Sequence, residues 1–213
     1  ARAGVPAPAL FEAVSAEAVR NMPRFKSKDI ANLAWAFSVA GIAAPFLFEA
    51  IASEIKPKPE EYFLFRKFSN DGLAQLHQVA AFLRLELPKN ALAKVLTLVK
   101  VDLKFAHLRD VPPTQSMRDV AKALRRIGWD HDFAHVTAQG VLVDFAQPAE
   151  MVALEFDGPT RYLSGSEKGE ATRVLDGTAR LKERMLGRMG WKLFRVPYFE
   201  WDTLLSSAEQ EDY

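Results

Sequence analysis

Three acidic residues in the second half of the chain have the types and spacing for chemistry on phosphate. Asp144 lies in "VLVDFAQP", and Glu155 and Asp157 lie two positions apart in "VALEFDGP". If both runs are strands, Glu155 and Asp157 share a face, because side chains alternate along a strand. Asp144 on the neighbouring strand could then approach them. Carboxylate oxygens are ligands that Mg²⁺ prefers, and bound Mg²⁺ can activate water for phosphodiester hydrolysis.

Carboxylates that converge on one place repel one another unless a cation lies between them. The candidate catalytic and metal-ligating residues are Asp144, Glu155 and Asp157. Lys182, on a following helix, could steady an attacking water or pair with an acid. Arg161 could instead balance the acids, and since arginine neither ligates a metal nor titrates near neutrality, that arrangement favours binding over hydrolysis. A salt-bridged strand end that pins a hairpin to a helix is an equally good interpretation.

A set of basic residues follows the acids. In the segment 176–190 arginine recurs at every fourth position, which would place a basic stripe along one side of a helix. Such a stripe suits contact with phosphate, although a solvated helix face is the commoner origin of a charge run. The candidate residues for binding nucleic acid are Arg161, Arg173, Arg180, Lys182, Arg184, Arg188 and Lys192.

The elements that must position these residues form an α/β pattern. "SMRDVAKALRRIG" predicts a helix that begins with a capping box at Ser116. Two strands, over 141–148 and 151–159, are expected to form a hairpin. A helix over 176–190 and a long strand over 191–201 follow. Helix, hairpin, helix and strand predict an α/β arrangement over a small sheet.

The first third of the chain contains an internal repeat. "AGVPAPALFEAVSAE" begins at residue 3, and "AGIAAPFLFEAIASE" begins 37 positions later. A weaker copy follows, in which residues 73–76 match residues 30–33. A period in this range is typical of a helical-pair solenoid. The sequence therefore predicts stacked helices before the α/β unit.

The aromatic residues of the repeat are expected in its core, and these are Trp35, Phe37, Phe46 and Phe48. The helical pattern continues over 89–109. Two prolines in "DVPPT", at 110–114, then break the pattern and predict a domain boundary.

Composition limits the classes of function. The chain has 213 residues and a net charge of +1, so any contact with nucleic acid must use a local basic surface. The absence of cysteine excludes disulfides and thiolate metal sites. No apolar run approaches the length of a membrane span, so no membrane partner is expected.

Several separated motifs resemble a RAP domain. That family's pattern is an Asp-bearing strand, then Glu-x-Asp-Gly-Pro, then a Lys-containing helix, a Gly-Trp pair and a closing Pro-Tyr-x-Glu-Trp. The matching residues are Asp144, 155–159, Lys182, 190–191 and 197–201. The motifs occur in the family's order, and the resemblance implies a RAP domain over 114–205 with a tail at 206–213.

The RAP fold is similar to the PD-(D/E)XK nucleases, especially the very-short-patch repair type. The resemblance therefore implies a small α/β domain of restriction-endonuclease-like type. The family usually has His four residues after the Asp of Asp-Gly-Pro, where this chain has Arg161. That departure weakens the expectation of nuclease activity.

The first part of the chain resembles octotricopeptide-type helical repeats of algal and apicomplexan organelles. "LAWAFSVAG" followed by "LFEAIA" carries this resemblance, which implies a helical-repeat segment over 1–110. RAP domains are associated with helical repeats upstream. The combined expectation is an α-helical solenoid segment followed by the α/β domain.

These resemblances imply an RNA-binding protein of an organelle, the mitochondrion or alternatively a plastid. The RNA would be ribosomal RNA or a specific organellar transcript, bound in processing, stability or ribosome assembly without catalysis. One alternative is a structural subunit of an organellar ribosome that contacts ribosomal RNA and neighbouring proteins. A second is a Mg²⁺-dependent endonuclease. No cofactor is expected unless the acids are active, in which case Mg²⁺ is.

Overall fold

The first half of the chain is helical wherever the structure describes it. A computed structural model describes residues 7–55, 68–98, 112–164 and 171–213. The chain divides into two units, Ala1–His107 and Leu108–Tyr213. The helices of the first unit are α1 (Pro8–Asn21), α2 (Ser27–Ala40), α3 (Pro45–Ile55), α4 (Asn70–Glu86) and α5 (Ala91–Leu98). The predicted helix over 89–109 is present from Ala91 as α5, whereas residues 89–90 precede it as a turn and 99–109 lie outside the described residues.

The two best-matched copies of the sequence repeat begin helices at equivalent residues. Pro8 is the first residue of α1, and Pro45, at the same position of the next copy, is the first residue of α3. Proline suits this position because its fixed φ is helical and the first N–H of a helix has no partner within it. The sequence match between the two copies therefore corresponds to equivalent helix starts.

Equivalent residues of the weaker copy contact each other directly. Helix α2 packs on α4, α1 on α3, and α3 on α5. Gln75 Nε2 donates to Asn32 Oδ1 at 2.9 Å. Trp35 Nε1 donates to Gln78 Oε1 at 2.7 Å. Both pairs are 43 residues apart in sequence, so α4 lies beside α2 in the register of the sequence match.

The core of the first unit uses most, but not all, of the expected aromatic residues. Phe37 and Phe48 are fully buried. Trp35 is half-buried, with its indole N–H on Gln78. The prediction for Phe46 is wrong, since this side chain is 78% exposed. In α3 the apolar stripe is formed by the next residue, Leu47, and its helical neighbours, which turns the preceding side chain outward.

The second unit is built on a four-stranded sheet. Its main elements are α6 (Gln115–Arg126), β1 (Asp132–Val136), β2 (Leu142–Gln147), β3 (Val152–Asp157), α7 (Gly177–Arg188) and β6 (Lys192–Pro197). The strand order is β1-β2-β3-β6. β2 pairs with β1 and with β3 in antiparallel fashion, whereas β3 and β6 pair in parallel. The predicted hairpin over 141–159 and the predicted small α/β domain are confirmed.

Smaller elements complete this unit near the carboxyl ends of β3 and β6. β4 (Tyr162–Ser164) and β5 (Ala171–Leu175) form a separate two-stranded sheet. Helix α8 (Tyr198–Trp201) follows β6 directly, and α9 (Ser207–Asp212) packs against α6. The segment predicted as a tail is therefore a helix held to the unit.

The two faces of the main sheet differ in chemistry. Val120 of α6 packs with Phe145, Val196 and Trp201 in one apolar cluster, to which Leu154 adds. Side chains alternate along β3, so the acids at 155 and 157 point to the opposite face. Buried residues of α7, among them Leu181, Met185 and Leu186, cover that face beside the acids. The sheet lies between α6 and α7, with its charges on the α7 side.

Two predicted boundaries in this unit are wrong. The cap of α6 is Thr114, whose side chain accepts from Met117 N at 3.2 Å, rather than Ser116. The strand predicted over 191–201 ends at Pro197 and continues as the helical turn α8. Proline has no N–H to donate to a strand ladder, so pairing stops there.

No helix in the four described ranges is both long and apolar enough to cross a membrane.

Two glycines three residues apart in "GRMG" are expected to respond oppositely to replacement by alanine. Gly187 lies inside α7, and a Cβ there would meet nothing within 4 Å. Gly187→Ala should stabilise the protein by about 0.5–1 kcal/mol, because alanine loses less entropy in a helix. Gly190 has a φ of +84°, so Gly190→Ala should destabilise by about 1–2 kcal/mol. Urea denaturation measures both, and equal effects would contradict a helix that ends between these two glycines.

Candidate functional site

Where β2 and β3 separate, the side chains of Asp144 and Glu155 accept hydrogen bonds from backbone N–H groups in place of the carbonyls of the neighbouring strand. The last antiparallel pair before that point is Phe145 with Leu154. At the next pair, Asp144 N donates to Glu155 Oε1 at 3.0 Å. Phe156 N donates to Asp144 Oδ2, also at 3.0 Å. The two carboxylates therefore satisfy N–H groups that the strands would otherwise leave unpaired.

The Glu155 carboxylate is balanced by Lys182 from α7. Glu155 is 2% exposed, and its Oε2 accepts from Lys182 Nζ. Burying a carboxylate is costly unless it is paired and hydrogen-bonded, and Glu155 has both a cation and a backbone N–H. Lys182 is held to the sheet by this contact. Pairing with an acid was one of the roles that the sequence predicted for Lys182, and its role in binding nucleic acid stays a prediction.

The Asp157 carboxylate is balanced by Arg195 from β6. Asp157 is 1% exposed, and Arg195 Nη1 donates to both of its oxygens, at 2.9 and 2.8 Å. Arg195 Nη2 donates to Ala179 O of α7 at 3.0 Å and lies 3.5 Å from Glu183. One guanidinium thus ties β3, β6 and α7 together. Its Nε is buried and has no hydrogen-bond partner among the described residues.

The prediction that Arg161 is the guanidinium balancing the acids needs correction. That role is taken by Arg195, with Lys182 as a second cation. Arg161 lies half-buried just after β3. Burial raises the pKa of both Asp144 and Asp157, and the charge of Arg161 opposes a part of that rise. Its guanidinium has no hydrogen bond or ion pair within the described ranges. The sequence therefore placed Arg161 near the acids, but the guanidinium that pairs with Asp157 is that of Arg195.

Burial leaves two of the acids easier to protonate than usual. Burial raises the pKa of Asp144 to about 6, and the charge of Glu155 adds to this rise. The opposing charges of Lys182 and Arg161 and the Phe156 N–H compensate only in part. Burial also raises the pKa of Asp157, outweighing the hydrogen bonds and charge of Arg195.

The acidic group does not fit a divalent ion. In the part of the chain that the structure describes, no three His, Asp or Glu residues are placed to hold a metal. The two oxygens of Glu155 accept from Asp144 N and from Lys182. Both oxygens of Asp157 accept from Arg195, and Oδ2 of Asp144 accepts from Phe156 N. A metal would have to displace these partners, so no step of hydrolysis is derived from this site.

The other predicted basic residues are distributed over α7 and its neighbours. Arg180 and Arg188 are exposed on α7, and Arg184 is half-buried between them in the same stripe. Lys192 is exposed at the start of β6, and Arg173 is exposed on β5. Their role in binding stays a prediction.

An aromatic cluster beside these residues was missed by the sequence interpretation. Tyr162 follows Arg161, and its ring lies 5.3 Å from Phe199 and 5.9 Å from Tyr198 between centroids. The Arg173 guanidinium carbon lies 5.0 Å from the centre of the Phe199 ring. The available signal was "PYFEW", which was assigned to a strand although its proline ends the ladder.

A comparison with protein families found a match over the part of the chain that contains α7, β6 and most of β3. A model of the RAP domain family matches residues 154–213. The match supports the interpretation as a RAP-domain protein. The matched part of the RAP domain begins within β3 and extends through α9, and it contains Arg161, Lys182 and Arg195. Asp144 and the elements α6, β1 and β2 precede it.

The account of the two cations makes a direct prediction about stability. Arg195→Ala should destabilise the protein by about 3–5 kcal/mol, because it leaves the buried Asp157 carboxylate unpaired. Arg161→Ala should cost less than about 1 kcal/mol, because its guanidinium makes no described hydrogen bond. Urea denaturation of both variants measures the difference. An equal or larger loss for Arg161→Ala would restore Arg161 as the balancing cation.

The raised pKa of Asp144 predicts a dependence of stability on pH. A carboxyl whose pKa is higher in the folded state binds protons more tightly there, so stability falls as pH rises from about 4 through 6. Asp144→Asn removes this titration. The melting temperature of the variant minus that of the wild type should therefore rise between about pH 4.5 and about pH 7.

Asp119→Asn is the matched control for this experiment. Asp119 is half-buried on α6, and hydrogen bonds from Gln115 and Lys122 lower its pKa. Its titration therefore lies below the tested window, and the corresponding difference should stay flat. A flat difference for Asp144→Asn as well would contradict the assignment of a raised pKa to Asp144.

Proposed function

We propose that this protein binds RNA through its RAP domain, at cationic groups near the carboxyl ends of β3 and β6. RAP domains are generally associated with RNA binding, and the family match covers these groups. The observation that carries the proposal is the state of the charges. The acids at 155 and 157 are neutralised inside the fold by Lys182 and Arg195, while Arg161 keeps a guanidinium without a described partner.

Internal neutralisation matters because phosphate is repelled by uncompensated carboxylates. With two acids paired to two cations, Asp144 is the one member of the acidic group that is not in an ion pair within the described residues, and the charge of Arg161 acts on it. A guanidinium can bind phosphate oxygens through two parallel hydrogen bonds. Arg173 and Arg180 are exposed on β5 and α7 and add positive charge to this unit. A local basic surface of this kind can bind RNA in a chain whose net charge is only +1.

The proposal does not include catalysis. The order of α6, three antiparallel strands, α7 and the parallel β6 supports the likeness to PD-(D/E)XK nucleases. The oxygens that would hold Mg²⁺ in such an enzyme are engaged by protein donors here. A domain of this ancestry that keeps its acids as internal ion pairs would hold RNA without cutting it.

The helical unit is proposed to extend the RNA contact as an octotricopeptide-type repeat segment. The lateral contacts of Asn32 with Gln75 and Trp35 with Gln78 support a stack in which each repeat presents the same positions. Repeats of this kind can follow an extended RNA strand.

We further propose an organelle as the site of action, the mitochondrion or alternatively a plastid. The RAP resemblance supports this location, and ribosomal RNA or a specific transcript is the proposed target. The choice between transcript binding and a structural place in the ribosome can be made by sedimentation of organelle extracts. A ribosomal subunit co-sediments with ribosomal particles after RNase-free washing at high salt, whereas a transcript-binding factor is recovered with one RNA.

Charge reversal tests the proposed surface. The double variant Arg161→Glu/Arg180→Glu should weaken binding to single-stranded RNA at least about tenfold and reduce the salt dependence of binding, because phosphate contacts are lost. Fluorescence anisotropy over a salt series measures both quantities. The matched control is Lys122→Glu/Arg125→Glu, which changes net charge equally on exposed positions of α6. Equal weakening in the two double variants would contradict the proposed surface.

A further inference from the structure

We propose that an unpaired base of single-stranded RNA stacks on the outer face of the Arg173 guanidinium, which is itself supported by Phe199. This inference rests on the proposed function and deepens it, since it names the kind of RNA and a contact that reads a base and not only phosphate. It is carried by the aromatic cluster at the carboxyl ends of β3 and β6.

The first step of the argument is the position of Arg173. Its guanidinium carbon lies 5.0 Å from the centre of the Phe199 ring, within the range of a cation–π contact. The residue is nevertheless exposed, and within the described ranges its guanidinium has no ion pair or hydrogen bond. The Arg173 guanidinium therefore lies over an aromatic ring although the residue is exposed to solvent.

The second step is the rigidity of the support. Phe199 packs edge-on against Tyr162, with centroids 5.3 Å apart, and against Tyr198, with centroids 5.4 Å apart. Tyr162 is buried, and it stands on β4, which pairs with the strand that carries Arg173. The Phe199 ring beneath Arg173 is thus held by two aromatic neighbours and provides a fixed support for the guanidinium.

The third step is the charge beside the stack. Arg161 directly precedes Tyr162 in the chain, and its guanidinium has no described partner. In this arrangement the Arg173 guanidinium stacks on a base, and the Arg161 guanidinium binds the adjoining phosphate. Arginine planes are known stacking surfaces for bases that have left a helix. A base inside a duplex is already stacked, so the ligand is single-stranded.

The decisive comparison is between a change that keeps the charge and one that removes it. Arg173→Lys keeps the positive charge but loses the plane, and Arg173→Ala loses both. The probe is a short single-stranded RNA with the fluorescent base aminopurine, whose emission is quenched by stacking. Wild-type protein should quench this emission and bind the single strand more tightly than the matching duplex.

Arg173→Lys should lose the quenching and bind about 3- to 10-fold more weakly, the size expected of a partly exposed cation–π contact. Arg173→Ala should bind more weakly still. Arg125→Lys, the same replacement at an exposed arginine of α6, is the control and should behave as wild type.

The outcomes separate this inference from the proposed function. If wild-type protein binds the RNA but Arg173→Lys keeps both affinity and quenching, the stacking inference is overturned and RNA binding stands. Tighter binding of the duplex overturns the inference in the same way. If wild-type protein binds none of the tested RNAs, both are overturned.

Discussion

The arrangement of the carboxyl-terminal unit depends on the ion pair between Asp157 and Arg195. The carboxylate is buried at the end of β3, and the guanidinium reaches it from β6 while also donating to a carbonyl of α7. A buried charge is tolerated only when it is paired and hydrogen-bonded. This constraint fixes the parallel pairing of β3 with β6 and the position of α7 over that face. A second ion pair on the same face of β3, between Glu155 and Lys182, neutralises another buried carboxylate in the same way.

The same constraint determines what chemistry this face can support. Carboxylates that already accept hydrogen bonds from Lys182, Arg195 and backbone N–H groups have few oxygens left for a metal. The half-buried Arg161 and the exposed Arg173 contribute positive charge beside an aromatic cluster. A surface of this kind favours recognition of a phosphate backbone and a stacked base over hydrolysis. The same ion pairs thus stabilise the fold and occupy the oxygens that a metal ion would need.

Much of this unit could be predicted from sequence because the relevant signals are local. Alternation along "VALEFDGP" placed Glu155 and Asp157 on one face, and the hairpin brought Asp144 opposite them. The partner of Asp157 could not be predicted in this way. Arg195 is 38 residues distant, and its reach depends on the register of a parallel pair that no local pattern specifies. Which arginine pairs with Asp157 is therefore decided by tertiary structure.

The helical unit shows the same division between local and tertiary information. The two best-matched copies of the repeat begin α1 and α3 at equivalent prolines. The match between α2 and α4 corresponds to direct contacts of Asn32 and Trp35 with their equivalents. The exposure of individual side chains was harder to predict from the sequence pattern. Phe46 was expected in the core because it is aromatic, but helix α3 has only one buried stripe, and the adjacent Leu47 occupies it.

The most direct test of the central claim is a crystal structure of the intact protein grown with millimolar Mn²⁺, because manganese can be located by its anomalous scattering. The account predicts no manganese peak among Asp144, Glu155 and Asp157, and electron density for both Nη1 contacts from Arg195 to Asp157. A manganese ion bound by these carboxylates, with the Arg195 side chain displaced into another rotamer, would contradict the account.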